Sequence, residues 1–441
     1  MPSVALTEFG ASSFDEYVSA GGGRGLERAL AMARDQVIEE VALSGLRGRG
    51  GAGFPTARKW SALHTGTGPR YVVCNAAEGE PATFKDRFLI RRNPYRVIDG
   101  LQIAAYAVGA ERAYVGLKNA FTKEFDALSR ALDEMERGGA LPVPVEMVAG
   151  PDHYLLGEET GLLEVIEERE PLPRVARPFY WGLFASPPNE NPTAVNNVET
   201  LSNVAHILAE GPDWLRQWGT EASPGTMCFT VAGDVEREGV YELPMGAPLR
   251  ELLVAASGVR GDDEVKVIFP GASSTALVPE QLDTPLSFEA MAAVGSGLGA
   301  GGFAVYDEST CVVEVALLFC RFLHVESCGQ CPPCKLNSGD VVEFLEALER
   351  GDPEADLDEA LVRARGATDG QKCALPTGTS LLMQSLFLTF EDEFRAHAGR
   401  TCPSARGLVL PKLVDWDQDA GRFTYDQGYA RKRPDWTYAE A

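Results

Sequence analysis

The sequence predicts an α/β protein built in three successive parts. Strand-like and helix-like patterns alternate through about residue 220, the signature of an α/β layer. From Met227 short strands gather around one helix, a small α+β module. From Ser309 to about His397 the sequence reads as mostly helical. A length of 441 residues with 45% hydrophobic composition supports a sizeable core and more than one domain.

Taken in order, GLERALAMARDQVIEEVALSGL spaces its apolar residues as a helix does and stops at Gly45. A glycine-rich loop follows, GLRGRGGAGFPTARKW. RYVVCNAAEGEPATFKDRF reads as a buried strand that breaks into a polar loop. DGLQIAAYAVGA is expected as a helix, ERAYVGLKN as a strand, AFTKEFDALSRALDEMER as a helix and LPVPVEMVAG as a strand. In the second part MCFTVAGDV, GVYELPM and VKVIFPGAS are short strands, PLRELLVAASG is the helix, and the module ends near GLGAGGFAVYD. The helical part is interrupted by a cysteine cluster and by GDPEADLDEA. The tail VDWDQDAGRFTYDQGYARKRPDW reads as a hairpin or an ordered arm.

The formal charge is 40 − 64 = −24. Such a surface repels phosphate backbones and anionic membranes, which argues against nucleic acid as a partner. Local backbone amides can still hold a nucleotide. No apolar run approaches a spanning helix, and MPSVALTEFGASSFDEYV has early acids and no basic n-region, so direct membrane insertion and a signal peptide are not expected. The expected compartment is cytoplasmic, where cysteines are reduced, metal-bound or buried. Cys74, Cys228, Cys311, Cys320 and Cys402 are scattered and expected to be inert.

The other four cysteines carry the strongest signal. ESCGQCPPCK places Cys328, Cys331 and Cys334 at a strict spacing of three. Three thiolates on one tight loop can each reach a different corner of a cuboidal iron–sulfur cluster, with a distant fourth capping the last. Cys373 in GQKCALPTG, beyond what reads as a helix pair, is the best fourth ligand. Zinc is the alternative, but structural zinc more often uses two separated CxxC pairs, and no second pair is present. A bland thiol loop is the third reading.

Gly48, Gly50, Gly51 and Gly53 in RGRGGAGF let amides approach a phosphate or an isoalloxazine ring without Cβ clashes. The spacing is not the dinucleotide fingerprint, and a tight surface turn is the plain alternative. YLLGEETGLL sets Glu158 and Glu159 just before a helix, where one carboxylate takes a ribose hydroxyl or amide, or both simply favour the helix dipole. NPTAVNNVETLSNVAHI sets Asn196 and Asn197 before another helix, as flavin contacts or as caps.

Read together, SGLRGRGGAGFPTARKW, CNAAEGEPATFKDR, GEETGLLEVIE, NPTAVNNVETLSNV, GVYELPMGAPLREL, GSGLGAGGF and ESCGQCPPC resemble one family, in family order from about residue 38 to 397. It is the flavin-carrying, NADH-oxidising F subunit of respiratory complex I (NADH:quinone oxidoreductase), together with the diaphorase subunits of hydrogenases and formate dehydrogenases. The resemblance implies a Rossmann-like flavin domain over 1–225, a ubiquitin-like β-grasp domain over 226–308, a helical bundle carrying a 4Fe–4S cluster over 309–400, and a tail over 401–441. It implies FMN on the glycine loop, with Lys59, Asn75, Gly157, Glu158, Glu159, Asn196, Asn197 and Thr200 as contacts. It implies NADH stacking on the flavin near Phe54, and Cys328, Cys331, Cys334 and Cys373 as cluster ligands. The function implied is an NADH dehydrogenase: a hydride passes from NADH to FMN, and single electrons pass through the cluster to an iron–sulfur or ferredoxin-like partner subunit. No side-chain general acid or base is expected to be central to that chemistry.

The sequence also departs from the family. Ala77 replaces a usual Asp, Ala62 a usual Phe, Gly116-Leu117-Lys118 a usual Arg-Gly-Glu, and Pro376 and Thr377 a usual Gly-Asp. Glu78 and Glu80 remain, and Glu78 is counted among the cofactor contacts. The losses fall on the dinucleotide side. Two alternatives follow: an electron-transfer subunit that draws on another donor such as ferredoxin, or a docking subunit without turnover. Weaker NADH binding is expected, tightened by Ala62→Phe with Ala77→Asp.

Overall fold

Side chains that alternate between two apolar clusters define the first layer. Val72, Cys74, Ala113, Val115 and Ala194 pack into one cluster, while Val73, Tyr114 and Val195 pack into another. That period of two belongs to strands buried on both faces, as parallel sheets require. In the computed structural model, which describes residues 9–368, 372–402 and 404–440 (the side chains of 64, 65 and 262 excepted), these residues form a parallel sheet. Its strands are β1 (Tyr71–Asn75), β2 (Arg112–Lys118), β3 (Val145–Gly150) and β4 (Thr193–Asn197), in the order β3-β2-β1-β4.

Around it lie α1 (Phe14–Ser19), α2 (Arg24–Leu30), α3 (Arg34–Ser44), α4 (Thr56–Ser61), α5 (Lys85–Arg92), α6 (Pro94–Val108), α7 (Thr122–Arg137), α8 (Glu159–Ile166), α9 (Val198–Glu210) and α10 (Asp213–Arg216). Helices α6 and α9 cover one face through Leu101, Ile103, Leu201 and Val204. Helix α8 covers the other through Leu162, Leu163 and Ile166. The sheet is therefore wrapped on both sides.

Three elements differ from expectation. The single helix expected before Gly45 is two, α2 and α3, separated by an extended Ala33 whose N–H is taken by the Gln36 side chain at 3.0 Å. The polar loop expected after β1 is present over 76–84, but its expected end, KDRF, starts α5, whose Lys85, Asp86 and Arg87 are all buried. Their charges hide a core helix behind a polar composition. Strand β4 goes beyond the expected elements, because TAVNN is short and Asn is depleted in strands. Only pairing with β1, remote in sequence, makes it one.

The second unit is a four-stranded sheet of β5 (Thr226–Gly233), β6 (Gly239–Pro244), β7 (Val265–Pro270) and β8 (Gly302–Asp307), in the order β6-β5-β8-β7. The central pair β5 and β8 is parallel and both outer pairs are antiparallel. Two helices accompany it, α11 (Leu249–Ala255) and the short α12 (Phe288–Ala293), and it has its own apolar cluster. The third unit is helical: α13 (Val312–Glu326), α14 (Pro332–Glu349), α15 (Leu357–Gly366), α16 (Leu375–Thr389) and α17 (Glu391–His397). The tail forms the expected hairpin, β9 (Leu413–Asp417) with β10 (Arg422–Tyr425). No helix among the described residues is long and apolar enough to cross a membrane.

Gly100 sets the spacing of α6 and α9. A Cβ there would stand 1.9 Å from the Leu201 carbonyl oxygen. Gly100→Ala is expected to cost at least about 1–3 kcal/mol through overpacking. Denaturant unfolding measures it, and an unchanged midpoint contradicts the close crossing.

His206 on α9 is half-buried and stacked on Trp214 at 4.8 Å, and desolvation of its ring lowers its pKa to about 3. The unfolded chain takes up a proton near the ordinary histidine value of about 6.5, which the folded protein refuses. Stability is therefore lost as pH falls from about 6.5 toward about 3, with a slope approaching 1.4 kcal/mol per pH unit from this group. His206→Phe is expected to remove that component. Parallel stability–pH curves for the two proteins would contradict it.

Candidate functional site

The strand order reverses at β1: β2 and β3 lie on one side of it and β4 on the other. In open α/β sheets, ligands sit beyond the carboxyl ends of the strands at such a switch point. Asn75 at the end of β1 pairs in register with Asn197 at the end of β4. Residues from four separated segments gather there. Gly50 lies against Asn197, so that a Cβ would come within 3.0 Å of the Asn197 Cβ. Gly51 and Gly53 have φ of +124° and +60°, and a Cβ at 53 would enter the Phe288 ring at 2.6 Å. Arg49 N–H donates to Thr200 Oγ1 at 2.9 Å, tying the loop to α9. The turn is thin because its neighbours leave no room for side chains.

Lys59 on α4 donates to the Val195 carbonyl at 2.9 Å and to Glu159 at 3.0 Å. Asn75 Nδ2 donates to the Gly157 carbonyl at 2.7 Å. Trp60 Nε1 donates to Asn196 Oδ1 at 3.0 Å, a contact that no local motif announces. Asn197 does cap a helix: its Oδ1 accepts from Glu199 N–H at 3.0 Å, while its Nδ2 donates to Asp86 at 2.6 Å. Glu158 is occupied as the α8 cap, accepting from the Thr160 and Gly161 N–H groups, each at 2.8 Å. Glu78 also turns inward, accepting from the backbone N–H of Asp86 at 3.1 Å and of Arg87 at 3.3 Å. Burial and the neighbouring Asp86 push its pKa up to about 7. Gly48 closes the base of the loop through Phe54 O at 2.9 Å, and Phe54 stands 46% exposed at the rim.

Behind the pocket lies a charged core that sequence reasoning missed. Lys85, wholly buried, sits 2.7 Å from Asp86 and 2.9 Å from Glu199. Burial alone pulls its pKa down, but Asp86 and Glu199 outweigh it and hold the ammonium charged. Arg49, also buried, donates to Pro224 O at 2.7 Å and Thr226 O at 3.0 Å. The only signal in the sequence is KDR, the first three residues of α5. Asp86 and Glu199 balance Lys85 and Arg49, so the core beneath the glycine loop is an ion-pair network.

The dinucleotide side differs from expectation at one point. Ala77 is buried in the apolar cluster with Leu156, Leu162 and Val195. An aspartate there would carry its carboxylate into that cluster, so Ala77→Asp is a destabilising change rather than a restoration. Ala62 opens the short turn Ala62–Thr65 and is only half-buried. Phe84 is committed to the core against Phe423 at 5.4 Å, while Tyr180 is 65% exposed. A cavity of about 230 Å³ opens beside the 78–80 loop, lined by Glu78, Glu80, Lys118, Asp152 and Lys412 among others.

Cys328, Cys331 and Cys334 lie where α13 passes into α14, and Cys373 lies just before α16. Gly329, with φ of +77°, turns the chain, Cys331 is the N-cap of α14, and Pro332 starts that helix. Cys373 feels the charges of Cys328 and Cys334. Lys372 donates to Gln330 Oε1 at 3.1 Å, stitching the Cys373 segment to the triplet. Gln330 Nε2 lies 3.6 Å from Cys328 Sγ, and Ser327 Oγ lies 3.2 Å from Cys334 Sγ. Lys335 donates to the carbonyls of His324, Ser327 and Pro434 at 2.7–2.9 Å. Buried or half-buried thiols with polar side chains against their sulfurs fit a cluster that carries negative charge. Burial otherwise pushes the Cys373 thiol up to about 12.

The two sites adjoin. Glu158 beside the flavin-side segment contributes to the field at Cys373. Tyr154 hydrogen-bonds Glu80, packs its ring on Phe322 at 5.1 Å, and through its N–H meets Glu326 at 2.9 Å.

Residues of four segments at the switch point of a parallel sheet, beside a helical unit with a cysteine triplet, accompany a chain of the flavin- and iron–sulfur-dependent oxidoreductase class, a subunit of the NADH dehydrogenase type. The family described as the Nuo51 FMN-binding domain matches residues 41–206, and the NADH-ubiquinone oxidoreductase-F iron-sulfur binding region matches 314–397. The chain is 40% identical over 404 residues to the second NADH-quinone oxidoreductase F subunit of Rhizobium meliloti, covering 88% of this chain and 95% of that one. It is 35% identical over 431 residues to the NADP-reducing hydrogenase subunit HndC of Solidesulfovibrio fructosivorans, covering 93% and 86%. Among solved structures, an NAD+-reducing [NiFe]-hydrogenase in the H2-reduced state has a chain that superposes with a TM-score of 0.79 at 32% identity, covering 90% of this chain and 68% of that chain. The chain belongs to the family of NADH-quinone oxidoreductase F subunits.

Lys59→Met removes one charge-assisted donor from the pocket, worth about 1.5–3 kcal/mol. FMN affinity is expected to fall roughly ten- to a hundredfold. Fluorescence titration of the flavin-stripped protein checks it, and unchanged affinity would place Lys59 outside the flavin site.

Proposed function

We propose that the chain oxidises NADH, with FMN at the β1/β4 switch point and a 4Fe–4S cluster on Cys328, Cys331, Cys334 and Cys373, and delivers electrons to an iron–sulfur partner subunit. The observation that carries this reading is the adjacency of the two sites through Tyr154, Glu80 and Glu158. Bound FMN accepts a hydride and releases electrons singly, which matches a two-electron donor to a one-electron acceptor.

The chain's own residues supply position and charge. Gly50, Gly51 and Gly53 admit the ligand to the backbone, and Lys59 offers positive charge. Asn75, Gly157, Asn196 and Thr200 frame the carboxyl edge, and Phe54 stands where a nicotinamide would enter. Glu78 and Glu158 act by holding α5 and α8 in place. Ser327 and Gln330 tune the cluster through hydrogen bonds to its sulfurs.

The reading divides the chain into a flavin unit over 1–225, a β-grasp unit over 226–308, a cluster unit over 309–400 and a tail over 401–441. The β-grasp assignment is supported by the order β6-β5-β8-β7 with a parallel central pair. A cytoplasmic setting suits a protein that needs four thiolates rather than disulfides. A second reading, electrons from a donor other than NADH, is favoured by the half-buried alanine at 62 and the apolar burial of Ala77.

NADH added anaerobically to the holoprotein is expected to bleach the flavin absorbance. Retained colour in flavin-loaded protein would favour the other donor. Ala62→Phe is expected to tighten NADH binding up to about tenfold, from an aromatic contact of about 0.5–1.5 kcal/mol. Weaker or equal binding in titration would mean that this wall of the pocket does not face the dinucleotide.

A further inference from the structure

Two of the five cysteines expected to be inert are not scattered in the fold. Cys311, His397 and Cys402 bring their ligand atoms within 4.8 Å of one another. Cys311 is the N-cap of α13, His397 ends α17, and Cys402 lies on the arm that follows. Cys311 Sγ stands 3.3 Å from His397 Nε2. A tetrahedral ion with metal–sulfur bonds of about 2.3 Å and metal–nitrogen bonds of about 2.0–2.1 Å would span a sulfur–nitrogen edge of roughly 3.5 Å.

The imidazole is already oriented for ligation. His397 Nδ1 lies 2.7 Å from the Glu393 carbonyl oxygen, which can only accept. Nδ1 therefore carries the proton and Nε2 presents its lone pair to the two sulfurs, the arrangement that metal-bound histidines adopt. Both flanks of Cys402 are anchored. Val312 N–H donates to Glu393 Oε1 at 2.9 Å, joining α13 to α17. Beyond Cys402, the N–H groups of Arg406 and Leu408 donate to Glu314 at 2.9 and 2.6 Å. The arm is thus held where it returns its thiol to the start of α13.

We propose that Cys311, His397 and Cys402 form a second metal site, which takes a divalent ion of the zinc class and staples the C-terminal arm to the helical unit. Two thiolates and one imidazole are a soft-to-borderline donor set, suited to zinc and poor for magnesium or calcium. The fourth position is left to water or an exogenous ligand, as in three-ligand zinc sites. Cys402 is partly exposed, which leaves a path for the ion to enter. The site is separate from the cluster cysteines: the 15-residue α13 lies between Cys311 and Cys328, a distance of about 22 Å at 1.5 Å per residue.

The test uses the holoprotein, purified anaerobically, exposed to zinc and desalted over a chelating resin. Elemental analysis is expected to give about one zinc per chain beside the iron, and zinc-edge absorption to show a sulfur shell near 2.3 Å with a nitrogen shell near about 2.0–2.1 Å. Cys402→Ser is expected to weaken zinc at least about tenfold by chelator competition, with iron and flavin content unchanged. Cys373→Ser is expected to do the reverse, lowering iron and leaving zinc. The proposal is overturned if no zinc is retained, if zinc survives Cys402→Ser at full affinity, or if peptide mapping finds Cys311 and Cys402 joined as a disulfide. Should Cys402→Ser lose its flavin or its helical circular dichroism, the shell composition at the zinc edge of the unsubstituted protein decides alone: a shell of oxygen without sulfur overturns the site.

Discussion

Parallel pairing of β1 with β4 is the constraint on which the rest of the flavin unit depends. It aligns Asn75 with Asn197 and sets the two strand ends side by side where the strand order reverses. The glycine loop is then tied down through Arg49 and Thr200, and Lys59 is aimed at the edge of β4. None of these contacts is local in sequence. A shift of one residue in the register would turn the alternating faces over and place Val73 and Val195 in the wrong cluster.

Beneath that edge the protein buries charge. Lys85, Asp86 and Glu199 form a core ion-pair network with Asn197 as its outermost member. Such networks seldom add stability over a well-packed apolar core, and removing one partner costs roughly 3–5 kcal/mol. The glycine loop is shaped by the second unit, since Phe288 fills the space that a side chain at Gly53 would need.

The C-terminal arm joins all three units. Lys412 pairs with Asp152 at 3.0 Å, Asp415 with Arg91 at 2.5 Å, Phe423 N–H donates to Glu238 at 2.8 Å, and Lys432 reaches buried Glu326 at 2.7 Å. Glu326 accepts from Tyr154 as well, so the arm, the cluster helix α13 and the segment before α8 share one carboxylate. These contacts tie the segment before α8 directly to the helix that leads into the cysteine loop.

The class of protein was legible in motifs that resemble one family, most strands and long helices in local periodicity, and the candidate cysteine triplet in its spacing. Periodicity and short spacings are local signals, such as the repeat of Cys328, Cys331 and Cys334. Only the tertiary structure decided where β4 belongs, because TAVNN is a strand solely by virtue of its partner. It also decided that Glu158 and Glu78 hold helices, that Ala77 is a core residue, and that Lys85 is a buried cation. Cys311 and Cys402 show the limit most plainly. No local pattern relates them, and the folding of α17 and its arm back onto α13 brings their sulfurs to one imidazole. Local patterns report which face of an element is apolar; which distant polar groups share a burial site follows from packing, and packing is decided by the whole polypeptide.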